Sequence, residues 1–338
     1  MRQSKYSGVQ NLASEKEGGE IATQLSGEEK VCTESQEDFP FLYSVIIAHY
    51  NSSCLLRRML SSIPERGDIQ VIIVDDASID EEHKALKRLA HRNLQIYHQT
   101  ENHGAGYARN IGLNHAKGRW LLIVDADDMF CDGAFEVLDE YKNANIDYLC
   151  YVIERYTSDG KPAGDNISNK SVKTYLEDPS KKNLMLFKYR NFVNWNKMVS
   201  LSFIRNNNMR FEECKVNNDV YFNLQIGLFA RRFKVIGDVL YRAIVNDNSI
   251  TRKKRNVERE FEFYLQTQKR NGFYKKMGLT RYPYYRATWL YAPFLIRKHG
   301  LKFVWKFFLM CYSRRNDIMK ARKAYLSLFD KMKGTYSN

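Results

Sequence analysis

Three carboxylates close the run LLIVDADD: Asp125, Asp127 and Asp128. Like charges this close together disfavour one another's ionisation, and burial at the end of an apolar segment adds to the penalty. A divalent cation removes both terms. Oxygen ligands two residues apart on an extended segment suit a hard ion such as magnesium or manganese, with phosphate oxygens and water completing its shell. The same residues have a second use, because aspartates favour the first turn of a helix and one could begin at Asp132 or Gly133.

The elements that must position these carboxylates are visible upstream. YSVIIA (43–48), IQVIIVDD (69–76), LQIYHQ (94–99) and WLLIVDAD (120–127) are short apolar runs, the pattern of strands buried on both faces. Between them SCLLRRMLSSI, EEHKALKRLAHR and GAGYARNIGLNHA have helical character. Alternation at this pitch predicts βαβ units and a parallel sheet, whose ligands bind beyond the carboxyl ends of the strands. His49, Tyr50 and Asn51 follow the first strand, Asp75 and Asp76 end the second, and the carboxylate triad ends the fourth. Three polar clusters at one sheet edge exceed what helix capping needs, which favours the metal use. HGAGYARN carries Gly104 and Gly106, but a dinucleotide fingerprint needs a third glycine where Arg109 stands and a place after the first strand. The glycines instead turn the chain into a helix whose Arg109 projects toward the same edge, where a guanidinium suits a phosphate.

With these residues assembled, the segment 43–130 resembles the GT-A glycosyltransferases of family 2, of the bacterial surface-polysaccharide type. SVIIAHYN, VIIVDDASID and NHGAGYARNIGLNHAKGRWLLIVDADD carry the resemblance, in that order. It implies an α/β, Rossmann-like fold with a mostly parallel central sheet flanked by helices, followed by a C-terminal helical extension. The implied limits are 41–252 for the transferase domain, with a donor half to about 130 and an acceptor half after it, and 253–338 for the extension. By the same resemblance Asp127 is the ligand of a Mn2+ or Mg2+ ion and Asp125 lies near the ribose. Asp76 and the backbone around Tyr50 meet the base, Arg109 lies near the base or diphosphate, and Asp75 is either structural or part of that wall. Asp128 caps the following segment.

Beyond residue 130 the likeness continues more thinly. NFVNWNKMVSLSFIRNNNMRF (191–211) resembles a W-x-K segment followed by a helix and a strand ending in Phe, placing Trp195 and Lys197 at the sugar and acceptor site. VNNDVYFNLQIGL (216–228) resembles the stretch bearing the catalytic base; Asp219 is that base, with Asn218 where relatives commonly carry an acid. As the first acid of a helix, Asp219 also suits the helix dipole. Ser249 to Thr251 resemble the close of the domain. The implied activity is metal-dependent, inverting transfer of a sugar from a nucleotide diphosphate, a UDP-sugar, to a saccharide or lipid-linked saccharide in surface polysaccharide synthesis. The competing class is a protein that keeps the nucleotide-sugar pocket but, with Asn218, only binds or scaffolds. A nucleotidyltransferase is disfavoured, because AHYNSSC is not a Gly-rich, basic loop.

Size and charge bound the remaining possibilities. The 338 residues suffice for one large domain or two ordinary ones. Six scattered cysteines, without CxxC or histidines at zinc spacing, indicate a reduced, cytosolic setting. No signal peptide pattern is present, and no apolar stretch approaches the roughly 20 residues that span a bilayer. Residues 1–40, with four basic and eight acidic groups and few large apolar side chains, read as a disordered leader. The net charge of +14 is concentrated at the other end, where residues 252–338 carry 22 basic and five acidic groups.

Within that end, WLYAPFLIRKHGLKFVWKFFLMCY (289–312) predicts a basic amphipathic helix. Lys298, Lys302 and Lys306 form its stripe, and Phe303, Phe307, Phe308 and Met310 occupy the rest. Flanked by Arg297, Arg314 and Arg315, it suits an anionic bilayer surface, and the family resemblance implies a peripheral place on the cytoplasmic face of the inner membrane. The plainer use of the pattern is a helix packed on the rest of the chain with solvated lysines. Nucleic acid is not expected as a partner: Tyr282, Tyr284, Tyr285 and Trp289 could stack bases, but no such module is visible and the apolar face is too broad.

Overall fold

The computed structural model describes residues 39–214, 216–245, 256–281 and 291–329. The chain begins β1 (Phe41–His49), α1 (Ser53–Ser61), β2 (Ile69–Asp75), α2 (Asp80–Leu86), β3 (Leu94–His98), α3 (Ala105–His115) and β4 (Gly118–Asp125). It continues through β5 (Met129–Phe130), α4 (Ala134–Asp139), β6 (Tyr148–Thr157), α5 (Ile167–Glu177), α6 (Lys181–Arg190), β7 (Lys197–Ser200) and α7 (Leu201–Asn206). Then follow α8 (Asn218–Phe229), β8 (Phe233–Val245), α9 (Val257–Lys276), α10 (Tyr291–His299), α11 (Leu301–Ser313) and α12 (Arg315–Ala324). The described strands form one sheet in the order β3-β2-β1-β4-β7-β6-β8-β5.

The four apolar runs form β1 to β4, all parallel, as their pattern predicts. Successive side chains serve opposite faces. Val45, Ile47, Val71, Ile73, Leu122 and Val124 pack with Leu56 and Met59 of α1 on one side. Ile46, Ile72, Val74, Leu121 and Ile123 pack with Ala108 and Leu113 of α3 on the other. Burying each Val, Ile or Leu contributes about 1.5–3 kcal/mol, so this double-sided filling fixes the sheet. Register then aligns the strand ends: His49 pairs with Asp75, Asp75 with His98, and Ala48 with Asp125. The polar residues after each strand therefore share one edge.

Several expectations change in the structure. β3 is an edge strand with only partly buried residues. α2 stops at Leu86, although the pattern ran on to residue 92. The sheet turns mixed where β7 pairs antiparallel with both β4 and β6, and β5 antiparallel with β8. Residues 207–211 form no strand. The single amphipathic helix over 289–312 is broken at Gly300, whose φ of 84° ends α10 and starts α11. Lys298 is thereby parted from the Lys302–Lys306 stripe, and its Nζ lies 3.6 Å from the buried Glu260 carboxylate. Residues 1–38 of the leader, Ser249 to Thr251, the boundary near 252 and the aromatics Tyr282, Tyr284, Tyr285 and Trp289 lie outside the described residues.

The C-terminal helices pack against α8 and the loop that leads into it. Phe273 and Tyr274 of α9 share a core with Val220 and Leu224 of α8, and with Tyr325 and Leu328 beyond α12. Tyr325 donates from its hydroxyl to Glu212 Oε2 at 2.7 Å, fastening the end of α12 to the loop that leads into α8.

Candidate active site

The site is built from loops at the carboxyl ends of β1, β2 and β4 and from the first turns of α3 and α8. Asn51, in a left-handed conformation (φ 49°), accepts from Ile79 N at 3.0 Å while its own N–H donates to Ser78 Oγ at 2.8 Å. These bonds tie the loop after β1 to the loop after β2. Tyr50, between His49 and Asn51, is half exposed.

Asp76 is buried, and its two oxygens accept separate backbone N–H groups, His103 at 2.9 Å and Gly104 at 2.7 Å. Gly104 supplies the positive φ (92°) that brings those N–H groups round at the start of α3. Gly106 serves closeness instead: a Cβ there would lie 2.2 Å from the Glu212 carbonyl oxygen. α3 thus runs against the 212–218 segment, and Arg109 spans the gap. Its terminal nitrogens reach Asp125 Oδ1 at 2.6 Å and Asn218 Oδ1 at 2.8 Å, while its guanidinium lies over the Phe211 ring and its buried Nε has no partner.

The β4 carboxylates come together as their spacing predicts, with oxygens of Asp125, Asp127 and Asp128 within 4.8 Å of one another. Burial, then the Asp125 charge, push Asp127 up to about 6, against the opposing charge of Arg58. The same two causes, with the Asp127 charge added, raise Asp128 well above the ordinary carboxylate range. Asp128 does not cap a helix. Its Oδ1 accepts from Ile244 N of β8 at 2.7 Å, and α4 begins after Gly133 without a side-chain cap. An all-oxygen donor set whose protonation is favoured although Arg109 and Arg58 oppose it fits a hard divalent cation.

Asp219 lies in the first turn of α8, after Asn217 in a left-handed conformation (φ 53°). Burial pushes its carboxyl up to about 6; Arg109 and Lys197 oppose this, and Asp125 adds to it. Lys197 is buried at the start of β7, its ammonium on the Val193 carbonyl at 2.5 Å and Asn196 Oδ1 at 3.0 Å. Burial lowers it to about 8. Trp195 is half-buried and stacked on Tyr241, with ring centroids 5.5 Å apart and planes 11° apart.

Asp75 is structural in its contacts. Burial alone would raise it, but hydrogen bonds from His49, Ser78 and His98 hold it well below the usual carboxylate range. Two further residues are not apparent from the sequence. Tyr241 of β8 accepts the Asp125 N–H at 3.2 Å, and Arg58 of α1 donates to the Asp127 carbonyl. Both lie more than 65 residues from the carboxylates they serve, in runs that otherwise read as strand and helix.

Residues 44–205 match the family model described as Glycosyl transferase family 2. The minor teichoic acid biosynthesis protein GgaB of Bacillus subtilis (strain 168) is 30% identical over 199 residues, covering 55% of this chain and 21% of that protein. The putative glycosyltransferase EpsH of the same organism is 27% identical over 220 residues, 62% of either chain. The crystal structure of S. aureus TarS 1-349 in complex with UDP-GlcNAc superposes with a TM-score of 0.54 at 20% identity, over 68% of this chain and 65% of that one. The chain spans less than two thirds of the length of each. The structural likeness is one of fold, and that fold is GT-A.

Proposed function

Because residues 44–205 match the model of glycosyl transferase family 2, we propose that the chain moves a sugar from a UDP-sugar to a hydroxyl of a saccharide or lipid-linked saccharide. The reaction inverts the anomeric centre and uses a divalent cation, manganese or magnesium. The observation that carries this reading is the meeting of Asp125, Asp127 and Asp128 with Arg109 and Asp219 at one sheet edge. The UDP-GlcNAc in the TarS complex supports the donor class, and the teichoic acid biosynthesis in the GgaB name supports a cell-surface polymer as the product.

The residues divide the work by position. Tyr50 and Asp76 border the base; each Asp76 oxygen accepts one backbone N–H, which leaves lone pairs for a base N–H. Asp125, held by Arg109, lies beside the ribose, and Asp127 with its acidic neighbours would hold the ion. A bound ion supplies Lewis-acid charge to the departing diphosphate. Arg109 adds a fixed guanidinium charge of the same sign. Asp219 accepts the proton of the acceptor hydroxyl while the hydroxyl oxygen bonds to the anomeric carbon. The bond to UDP breaks on the opposite face and its electron pair leaves with the diphosphate, which is why the configuration inverts. A carboxylate near 6 is ionised at neutral pH yet still basic. Lys197, occupied by carbonyls, acts on the site through its charge, and Trp195 borders the acceptor side with the face that Tyr241 leaves uncovered.

The division into a donor half (41–130), an acceptor half (131–252) and a basic helical region (253–338) follows from these roles. Among the described residues no helix is long and apolar enough to cross a membrane. α11, however, exposes Leu301, Trp305, Phe308, Leu309 and Tyr312 along one side, with Lys302 and Lys306 beside them. That face suits an anionic bilayer on which a lipid-linked acceptor lies and supports a peripheral position on the cytoplasmic side of the inner membrane as part of this reading. Asn218 in place of an acid favours a second reading, binding of the donor without transfer. Incubation with a panel of UDP-sugars, manganese and lipid-linked acceptors decides between them: a product of inverted configuration supports transfer, and tight donor binding with no product supports the second.

A further inference from the structure

Asp75, His83 and His98 form a group apart from the strand-end triad. Asp75 ends β2, His98 ends the neighbouring β3 in register with it, and His83 lies in the first turns of α2. His83 Nε2 and His98 Nδ1 sit 2.8 and 3.2 Å from one oxygen, Asp75 Oδ2. All three ligand atoms fall within 4.8 Å of one another. The other Asp75 oxygen is fixed from behind by His49 Nδ1 at 3.0 Å and Ser78 Oγ at 2.5 Å. The carboxylate is fully buried, whereas the two imidazoles are 32% and 39% exposed.

Two imidazole nitrogens aimed at a single carboxylate oxygen can be satisfied by protons or by one shared ion. Zinc bonds to nitrogen and oxygen of about 2.0–2.2 Å place tetrahedral ligands about 3.3–3.6 Å apart; His98 Nδ1 is already near that separation from Asp75 Oδ2, and the partly exposed His83 ring has to draw back from 2.8 Å by about half an ångström. Two histidines and one carboxylate, with a fourth position facing water, are an open zinc ligand set. His49 and Ser78 are the outer partners that orient such a carboxylate. The donor chemistry also separates this group from the triad: imidazole suits zinc, cobalt or nickel, and oxygen alone suits magnesium or manganese.

We propose that Asp75 Oδ2, His83 Nε2 and His98 Nδ1 bind a zinc-class divalent cation, with water as the fourth ligand. The ion ties the ends of β2 and β3 to the start of α2. Asp75 directly precedes Asp76, which holds the His103 and Gly104 N–H groups. Occupancy therefore stiffens the wall of the pocket without entering the chemistry.

The test uses the full chain carrying Asp127→Ala, which removes the triad's own metal binding, titrated with cobalt(II) chloride. One equivalent is expected to give the strong visible absorption of tetrahedral cobalt, displaced by zinc chloride and not by magnesium chloride. Adding His83→Ala and His98→Ala is expected to abolish the signal. His98→Asn, which keeps a donor toward Asp75, is expected to weaken binding by at least about tenfold with the fold intact. Weak octahedral absorption, or a tetrahedral signal that survives in the histidine variants, overturns the proposal. Neither result bears on donor binding at the triad, so the two accounts fail separately.

Discussion

Arg109 joins Asp125 to Asn218 across the strand-end carboxylate site, one terminal nitrogen 2.6 Å from the Asp125 carboxylate and another 2.8 Å from the Asn218 amide oxygen. It is the buried cation between the acids of β4 and the first turn of α8. Replacing it removes charge-assisted bonds and leaves Asp125 uncompensated, a loss of about 1.5–3 kcal/mol. Arg109→Ala is expected to weaken UDP binding about 10- to 100-fold by calorimetry. Arg109→Lys recovers only part, because one ammonium does not reproduce the fork.

Asp219→Asn is expected to leave UDP affinity intact and to lower turnover by about 10²–10⁴-fold. The wild-type rate should rise with pH through about 6, since the base acts only when ionised. The stability sign is the reverse. The folded carboxyl keeps its proton to about 6 but the unfolded one only to 3.8, so its contribution is full below 3.8 and falls as pH rises between these values. Asn218→Asp adds a negative neighbour and should move the rate limb upward; a limb that stays in place would detach Asp219 from it.

Gly106→Ala places a methyl group 2.2 Å from the Glu212 carbonyl, which is backbone and cannot swing aside. Overpacking of this kind costs about 1–3 kcal/mol. A lowered thermal midpoint with weaker donor binding is expected, as α3 carries Arg109 away from Asn218. Gly160→Ala, where no atom lies within 4 Å, meets only the cost of its positive φ (81°) and should leave donor binding unchanged.

The exposed side of α11 gives a prediction for vesicles. Trp305→Glu with Leu309→Glu should abolish sedimentation with anionic liposomes while leaving UDP affinity unaltered. Binding of the wild type should fall as salt rises, since its electrostatic part is screened over about 8–10 Å. Equal binding by both forms would assign this side of α11 to another partner.

Local pattern revealed what depended on local pattern. The apolar runs of β1, β2 and β4 became central strands because each is filled from both faces, and their register brought Asp76 and Asp125 to one edge; β3, at the sheet edge, is only partly buried. Asp128 has the sequence position of a cap, but its partner, the Ile244 N–H, is 116 residues away. Tyr241 and Arg58 were hidden for the same reason. β7, only four residues long and antiparallel, gives too short a run to declare its direction. The break at Gly300 had a signal in the glycine itself, but the four-residue spacing of the lysines overrode it.

The central claim is that Asp127 and its neighbours hold a divalent ion on the donor diphosphate. Calorimetric titration of UDP into the wild type and Asp127→Ala, each with and without manganese, tests it most directly. The account predicts tight binding by the wild type with manganese, much weaker binding without it, and no manganese effect in Asp127→Ala. Wild-type affinity that is indifferent to manganese, or a manganese effect that survives in Asp127→Ala, would contradict it.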